Sequence, residues 1–177
     1  MRGQAQPART AESDLALQSR PIVVKLGGSV VRSQELPAWL DVIAASPRPI
    51  IIVPGGGAFA DEVHAAQAEL GFGDGAAHRM ALLAMDQLAW AVTSDSLALW
   101  LARRVNAGCC YVIKSIRRQR SDFSAAQLAR DGVVDEAFPA MLKDASFRVH
   151  LLGRGDQAAL AASLSGASAT ACGAKIG

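Results

Sequence analysis

Ile22-Val23-Val24-Lys25-Leu26-Gly27-Gly28-Ser29 and Ile50-Ile51-Ile52-Val53-Pro54-Gly55-Gly56-Gly57 are the two stretches that decide the fold of this 177-residue chain. Each is a short apolar run that stops at glycine. Runs of four to eight apolar residues bounded by turn residues read as buried strands. Neither run alternates cleanly with polar residues, so both faces of each strand are expected to be covered, as in a parallel sheet.

Working outward, Leu36, Trp39, Leu40 and Ile43 recur at helical spacing between the two runs, and Pro47 and Pro49 break that helix. Beyond the second run, Phe59, Val63, Ala66 and Leu70 mark another helix, ended by Gly71. A long helical segment over residues 76–106 follows, with Thr93-Ser94-Asp95-Ser96 as capping residues that interrupt it and Gly108 as its stop. Cys109 to Ile113 reads as a third strand. Ser124 and Gln127 form a capping box opening a helix to Arg130. Phe138-Pro139 opens another helix, residues 147–152 form a fourth strand closed by Gly153, and Gln157 to Leu164 form a last helix. The Gly- and Ala-rich end carries no clear pattern. Strands alternating with helices predict an α/β domain with a mainly parallel sheet covered on both faces.

Hydrophobic residues make up 51% and charged residues 19%, enough for a substantial core. The organisation expected is a disordered tail over residues 1–20 and one domain over residues 21–177. A net charge of +2 and 5% aromatics argue against a nucleic-acid surface. The tail lacks the apolar stretch of a secretory signal. Residues 80–101 could span a bilayer by length, but Asp86 and Asp95 lie inside, so an amphipathic helix and no membrane partner are expected. That segment is apolar around most of its circumference and the mean hydropathy is +0.21, which predicts association with another subunit. Cys109, Cys110 and Cys172 form neither a disulfide framework nor a metal set, and fit a reducing cytoplasm. No metal site is read. Cys109 and Cys110, adjacent on a strand, should point to opposite faces. His150 is expected in the core.

Two strands ending in glycine clusters suggest an anion site. Ligands of open α/β sheets sit beyond the carboxyl ends of strands. Glycines there let backbone N–H groups approach a phosphate. Lys25, read as a strand-end ammonium that adds little packing, could meet charge on a transferring phosphoryl group. Neither loop is followed by the Gly-Lys-Ser/Thr of a Walker A sequence. Read locally, Asp95 is a helix N-cap, Lys114 a solvated strand end, and His78 an acceptor contact or a structural histidine. Arg117, Arg118 and Arg120 read first as a solvated loop and second as a contact to nucleotide phosphate.

The stretches Val24-Lys25-Leu26-Gly27-Gly28-Ser29 and Val53-Pro54-Gly55-Gly56-Gly57-Ala58-Phe59-Ala60-Asp61 resemble the amino acid kinase family, which includes acetylglutamate, aspartate, uridylate and carbamate kinases. Ala77-His78-Arg79-Met80-Ala81, Ala84-Met85-Asp86-Gln87 and Val92-Thr93-Ser94-Asp95-Ser96-Leu97-Ala98 resemble the branch that phosphorylates a furan phosphate in methanofuran biosynthesis, with its methylotroph relatives. The resemblance implies a three-layer αβα, carbamate kinase-like fold, trimmed here between Gln87 and Thr93. It implies ATP with Mg²⁺ and transfer of the γ-phosphoryl group to a phosphate or carboxylate oxygen. Lys25 and Asp95 would be catalytic. Lys25, Gly27, Gly28, Ser29 and Lys114 would hold the nucleotide phosphates, and Gly55, Gly56, Gly57 and His78 the phosphorylated acceptor. Uridylate or an amino acid carboxylate is the alternative acceptor, and a non-catalytic, partner-dependent subunit the alternative role.

Overall fold

The structure, a computed structural model, describes residues 19–55, 68–71, 73, 93–117, 122–166 and 174–176. In chain order the described elements are β1 (Ile22–Leu26), α1 (Gly28–Val31), α2 (Leu36–Ala44), β2 (Ile50–Pro54), α3 (Ser94–Arg104), β3 (Cys109–Ile113), β4 (Asp122–Phe123), α4 (Ala125–Arg130), α5 (Phe138–Lys143), β5 (Arg148–Leu152), α6 (Gln157–Leu164) and β6 (Ala174–Ile176). They form an α/β fold. The sheet runs in the order β2-β1-β3-β5-β6-β4. β2, β1, β3 and β5 run parallel to one another, and β6 is antiparallel to β5.

The apolar blocks β1 and β3 are buried at every position. Successive residues supply opposite cores. Val23, Cys110, Val112, Val149 and Leu151 face α3, α4 and α5, packing on Ala98, Leu99, Ala102, Leu128 and Phe138. Ile22, Val24, Cys109, Tyr111 and Ile113 face α2 and α6, packing on Trp39, Ile43, Leu160 and Leu164. Cys109 and Cys110 therefore do lie on opposite faces, both buried and neither in a disulfide. His150 is buried and stacks on Tyr111 with ring centres 5.5 Å apart.

Several expectations are corrected. β2 is not buried on both sides: it pairs only with β1 among the described strands, and Ile52 is 41% exposed. Its composition matches β1, so only its edge position separates them. The stop of α3 is Asn106, at φ 53, with Ala107 N–H donating to Ala102 O at 2.8 Å, two residues before Gly108. The capping box at Ser124 does not form. Its hydroxyl makes no cap bond, while the Gln127 amide donates to Asp131 at 2.7 Å and accepts from Arg130 at 2.6 Å. The patternless end holds β6. The expected tail before Ser19 and residues 76–92 of the long helix lie outside the described residues. No described helix is long and apolar enough to cross a membrane.

α3 starts under a remote carboxylate. Asp135 Oδ2 accepts from Thr93 N–H at 2.9 Å, Thr93 Oγ1 at 2.8 Å and Ser96 N–H at 3.0 Å. Its Oδ1 accepts from Ser96 Oγ and from Phe138 N–H at 3.0 Å. One side chain thus satisfies the free amides that open both α3 and α5.

The two glycine loops touch backbone to backbone. Gly55 N–H donates to Leu26 O at 2.7 Å. A Cβ on Gly55 would sit 2.4 Å from Gly28 N and 3.0 Å from Gly28 Cα, where no flexible side chain can yield. Gly55→Ala must push the loops apart, at about 2–3 kcal/mol by the cost of overpacking. The expected melting temperature falls by roughly 5–10 °C for a chain of this size. Gly73→Ala, with nothing within 4 Å of the added methyl, is the control and should melt with the wild type. Equal melting of the two variants would mean the loops are not packed this way.

Candidate functional site

On β1, Val23 faces the α3 core, so Lys25, two residues on, points the same way. β3 repeats the arrangement: Val112 faces α3, and Lys114 follows by two. Lys25 is paired in register with Val112, which brings both ammoniums to the carboxyl ends of neighbouring strands. Asp95, in the first turn of α3, lies between them. Lys25 Nζ is 2.5 Å from Asp95 Oδ1, and Lys114 Nζ donates to Asp95 Oδ2 at 2.6 Å. The side chains of Lys25 and Asp95 are each 3% exposed, that of Lys114 17%.

Two cations share one carboxylate, so the cluster carries one positive charge more than it can neutralise internally. Burial is the largest influence on Lys25 and lowers its pKa to about 8; Asp95 works against that lowering and Lys114 adds to it. The neighbouring Cys110 thiol is pushed up far beyond its usual range, chiefly by burial.

The sign for stability follows. Between pH about 8 and 10.5 Lys25 is neutral in the folded chain and charged in the unfolded one. The unfolded state then binds more protons, so Lys25 makes stability rise with pH across that window. Cys110 acts oppositely above its ordinary value of 9.0, where only the unfolded thiol ionises. Subtracting the urea-unfolding free energy of Lys25→Met removes the Cys110 contribution. The wild type should gain on that variant as pH rises from about 8. A difference that stays flat would show that the Lys25 pKa is not lowered.

The first glycine loop borders the cluster. Gly27 N–H donates to Ile113 O at 2.9 Å, and a Cβ at Gly27 would lie 3.0 Å from that oxygen and 3.6 Å from Lys114 Cδ. Ser29 Oγ and Ser115 Oγ share a 2.6 Å hydrogen bond that ties α1 to the end of β3. The structure therefore gathers Lys25, Gly27, Gly28, Ser29, Gly55, Asp95 and Lys114 at one sheet end. Gly56, Gly57, His78, Arg118 and Arg120 lie outside the described residues, and Arg117 is exposed.

Three readings are corrected. Lys25 is buried rather than a loosely packed strand end. Asp95 is not the N-cap of α3: Thr93 holds that place, its hydroxyl accepting from Asp95 N–H at 3.4 Å. Lys114 is ion-paired rather than solvated. The signal for the pair was in the sequence, since both lysines follow a buried valine by two on strands that become neighbours. No group of three or more His, Cys, Asp or Glu side chains placed to hold a metal occurs among the described residues. A cavity of about 940 Å³ opens at the opposite end of the sheet, lined by Gly108, Leu142, Phe147 and Arg148, well away from the charged cluster.

No curated protein sequence matches the chain. Among solved structures, the uridylate kinase of Archaeoglobus fulgidus superposes with a TM-score of 0.64 at 15% identity, over 88% of this chain and 99% of that one. The UMP kinase of Ureaplasma parvum gives 0.58 at 12% identity, over 89% and 97%. Residues 20–89, which include both glycine loops, match the sequence model of the amino acid kinase family. The chain therefore has the fold seen in these uridylate kinases, and its first half carries the amino acid kinase sequence pattern.

Proposed function

We propose that the chain is an ATP-dependent small-molecule kinase working at the Lys25–Asp95–Lys114 cluster. The observation that carries this is the surplus positive charge, nearly buried, beside the first glycine loop at the carboxyl ends of parallel strands, with the second loop packed on the first. In the proposed step an acceptor oxygen attacks the γ-phosphorus in line. The bond from that phosphorus to the bridging oxygen breaks, and ADP leaves with the electron pair. Charge spreading over the γ-phosphoryl oxygens would meet Lys25 and Lys114, already oriented by Asp95. The backbone N–H groups of Gly28, Ser29, Gly56 and Gly57 would hold phosphate oxygens, with His78 beside the acceptor; those of Gly27 and Gly55, expected to do the same, already donate to Ile113 O and Leu26 O and shape the loops instead. A polyphosphate fits the cationic cluster. Mg²⁺ is assigned to the nucleotide, where it would neutralise part of the β,γ charge.

The acceptor we favour is an aminomethylfuran methyl phosphate, giving a diphosphate in methanofuran-like cofactor synthesis; the motif at Ala84-Met85-Asp86-Gln87 and the one around Asp95 support it. Uridylate is the second reading, supported by the two structural neighbours. Both acceptors present a phosphate monoester as nucleophile. Cys109 and Cys110, buried and outside any disulfide, fit a cytoplasmic site of action. Trp100, 43% exposed within the apolar stretch 80–101, supports assembly with another subunit. ADP release should be measured with MgATP and, in turn, the furan phosphate, uridylate and an amino acid carboxylate. Turnover with the furan phosphate above all others is expected. Preference for uridylate would overturn the acceptor but keep the kinase. No turnover with any acceptor, and no ATP binding by calorimetry, would overturn the kinase and leave a non-catalytic subunit.

A further inference from the structure

We propose that Asp135 is the positioning residue of the charged cluster, fixing the carboxylate of Asp95 between the two lysines by clamping the first turn of α3 from outside. The segment that must be placed is short. Thr93, Asp95 and Ser96 occupy one helical turn, and Asp95 is its only member that touches the lysines. The local cap is weak: Thr93 Oγ1 accepts from Asp95 N–H at 3.4 Å, beyond ordinary hydrogen-bond length. Asp135 supplies what that cap lacks. It receives both hydroxyls and two amides of the turn, from 39 and 42 positions away along the chain. Bonds from N–H or O–H to an ionised carboxylate are about twice as strong as neutral ones. Negative charge at a helix N-terminus is favourable in its own right.

The clamp also has a fixed anchor. Asp135 Oδ1 accepts from Phe138 N–H at 3.0 Å, and the Phe138 ring is fully buried under the sheet. Asp135 therefore links the turn bearing Asp95 to a helix packed in the same core as β1 and β3. Without it, α3 would keep its apolar anchors Ala98, Leu99 and Ala102, but the turn ahead of them would lose four donors' worth of restraint. The part most free to shift would be the part that holds Asp95. The claim concerns the geometry of the cluster and stands whichever anion the cluster meets; only its effect on turnover rests on the phosphotransfer reading.

The chain has four lysines, so ε-carbon-labelled lysine gives a countable NMR spectrum in which Lys25 can be titrated without any substrate. The groups facing Lys25 are Asp95 from α3, Lys114 after β3 and Cys110 on β3. In Asp135→Asn, Asp95 should move off Lys25, and Lys25 should bind its proton at least tenfold more weakly than in the wild type. Thr93→Val with Ser96→Ala removes the two hydroxyl donors while leaving the Asp135–Phe138 bond, and should shift Lys25 in the same direction by a smaller factor. That double variant decides the matter if Asp135→Asn does not fold. With a working acceptor, turnover of the folded variants should fall tenfold or more while the acceptor KM stays within about threefold. A lower melting temperature with an unchanged Lys25 titration would overturn the proposal, since a merely structural cap would do only that.

Discussion

Asp95→Asn is expected to unfold the chain more readily than any other single change in the cluster. The substitution leaves Lys25 and Lys114 on opposite sides of a neutral amide, in a site where Lys25 is almost wholly buried. Removing one partner of a buried ion pair costs about 3–5 kcal/mol, because the remaining charge loses its compensation without regaining water. Both lysines lose their partner, and Lys25 can shed part of the cost by releasing its proton, so a loss within that range is expected. Urea unfolding at neutral pH measures it, and the melting temperature should drop by roughly 10 °C or more. Phosphoryl transfer should vanish at the same time. A loss below about 1 kcal/mol would mean that the pairs are worth no more than surface salt bridges.

Lys25→Met should behave in the opposite way for stability and the same way for chemistry. Asp95 keeps Lys114, the methionine fills the same space, and the cost of burying the second ammonium disappears. Replacing buried charge by apolar volume is often neutral or stabilising. Stability at neutral pH should therefore stay within about 1 kcal/mol of wild type or rise. Turnover should fall by about two orders of magnitude or more, the scale for losing one preorganised donor. The loss should lie mainly in kcat rather than in ATP affinity. Lys25→Arg should rescue little, because a planar fork cannot stand in for a compact ammonium in a closed site. Near-normal turnover in Lys25→Met would move the chemistry to Lys114 or to the loop at Arg117. A residue whose removal improves the fold and ends the reaction would mark stability given up for function.

The legible part of this chain is the part written in local pattern. Mostly apolar runs announced β1, β2, β3 and β5, and glycine clusters announced where two of them end. What pattern could not show was rank within the sheet: Ile50-Ile51-Ile52 has the composition of a central strand and sits at an edge. β4 and β6, of two and three residues, are too short to carry any period. Lys25 was singled out by its place before a glycine loop and Asp95 through a family resemblance, whereas Lys114 stood undecided, because its role depends on β3 lying beside β1. Asp135 was invisible for the same reason, since nothing local in Val133-Val134-Asp135-Glu136 marks it. Its five hydrogen-bond donors come from two helices, one of them some forty positions away. Ser124 and Gln127 failed in the other direction. The local motif was present, but Gln127 found closer partners in Arg130 and Asp131.

The order of strands has a consequence for how the chain reaches this state. β1 is central, yet its second neighbour, β3, is synthesised much later: Ser29 and Ser115, which bond across that junction, are 86 positions apart. Sheets dominated by distant parallel pairings fold slowly, since the entropy of closing large loops comes before the contacts that offset it. As the chain leaves the ribosome, β1 and β2 can pair early, but one edge of β1 stays open until Cys109–Ile113 emerges. The open edge is Ile-, Val- and Leu-rich, the kind of surface that captures other nascent chains. The only charge in that strand is Lys25. Before Asp95 and Lys114 arrive, that solvated ammonium acts as a gatekeeper against edge pairing. The same side chain thus protects the strand during synthesis and becomes buried once the sheet is complete.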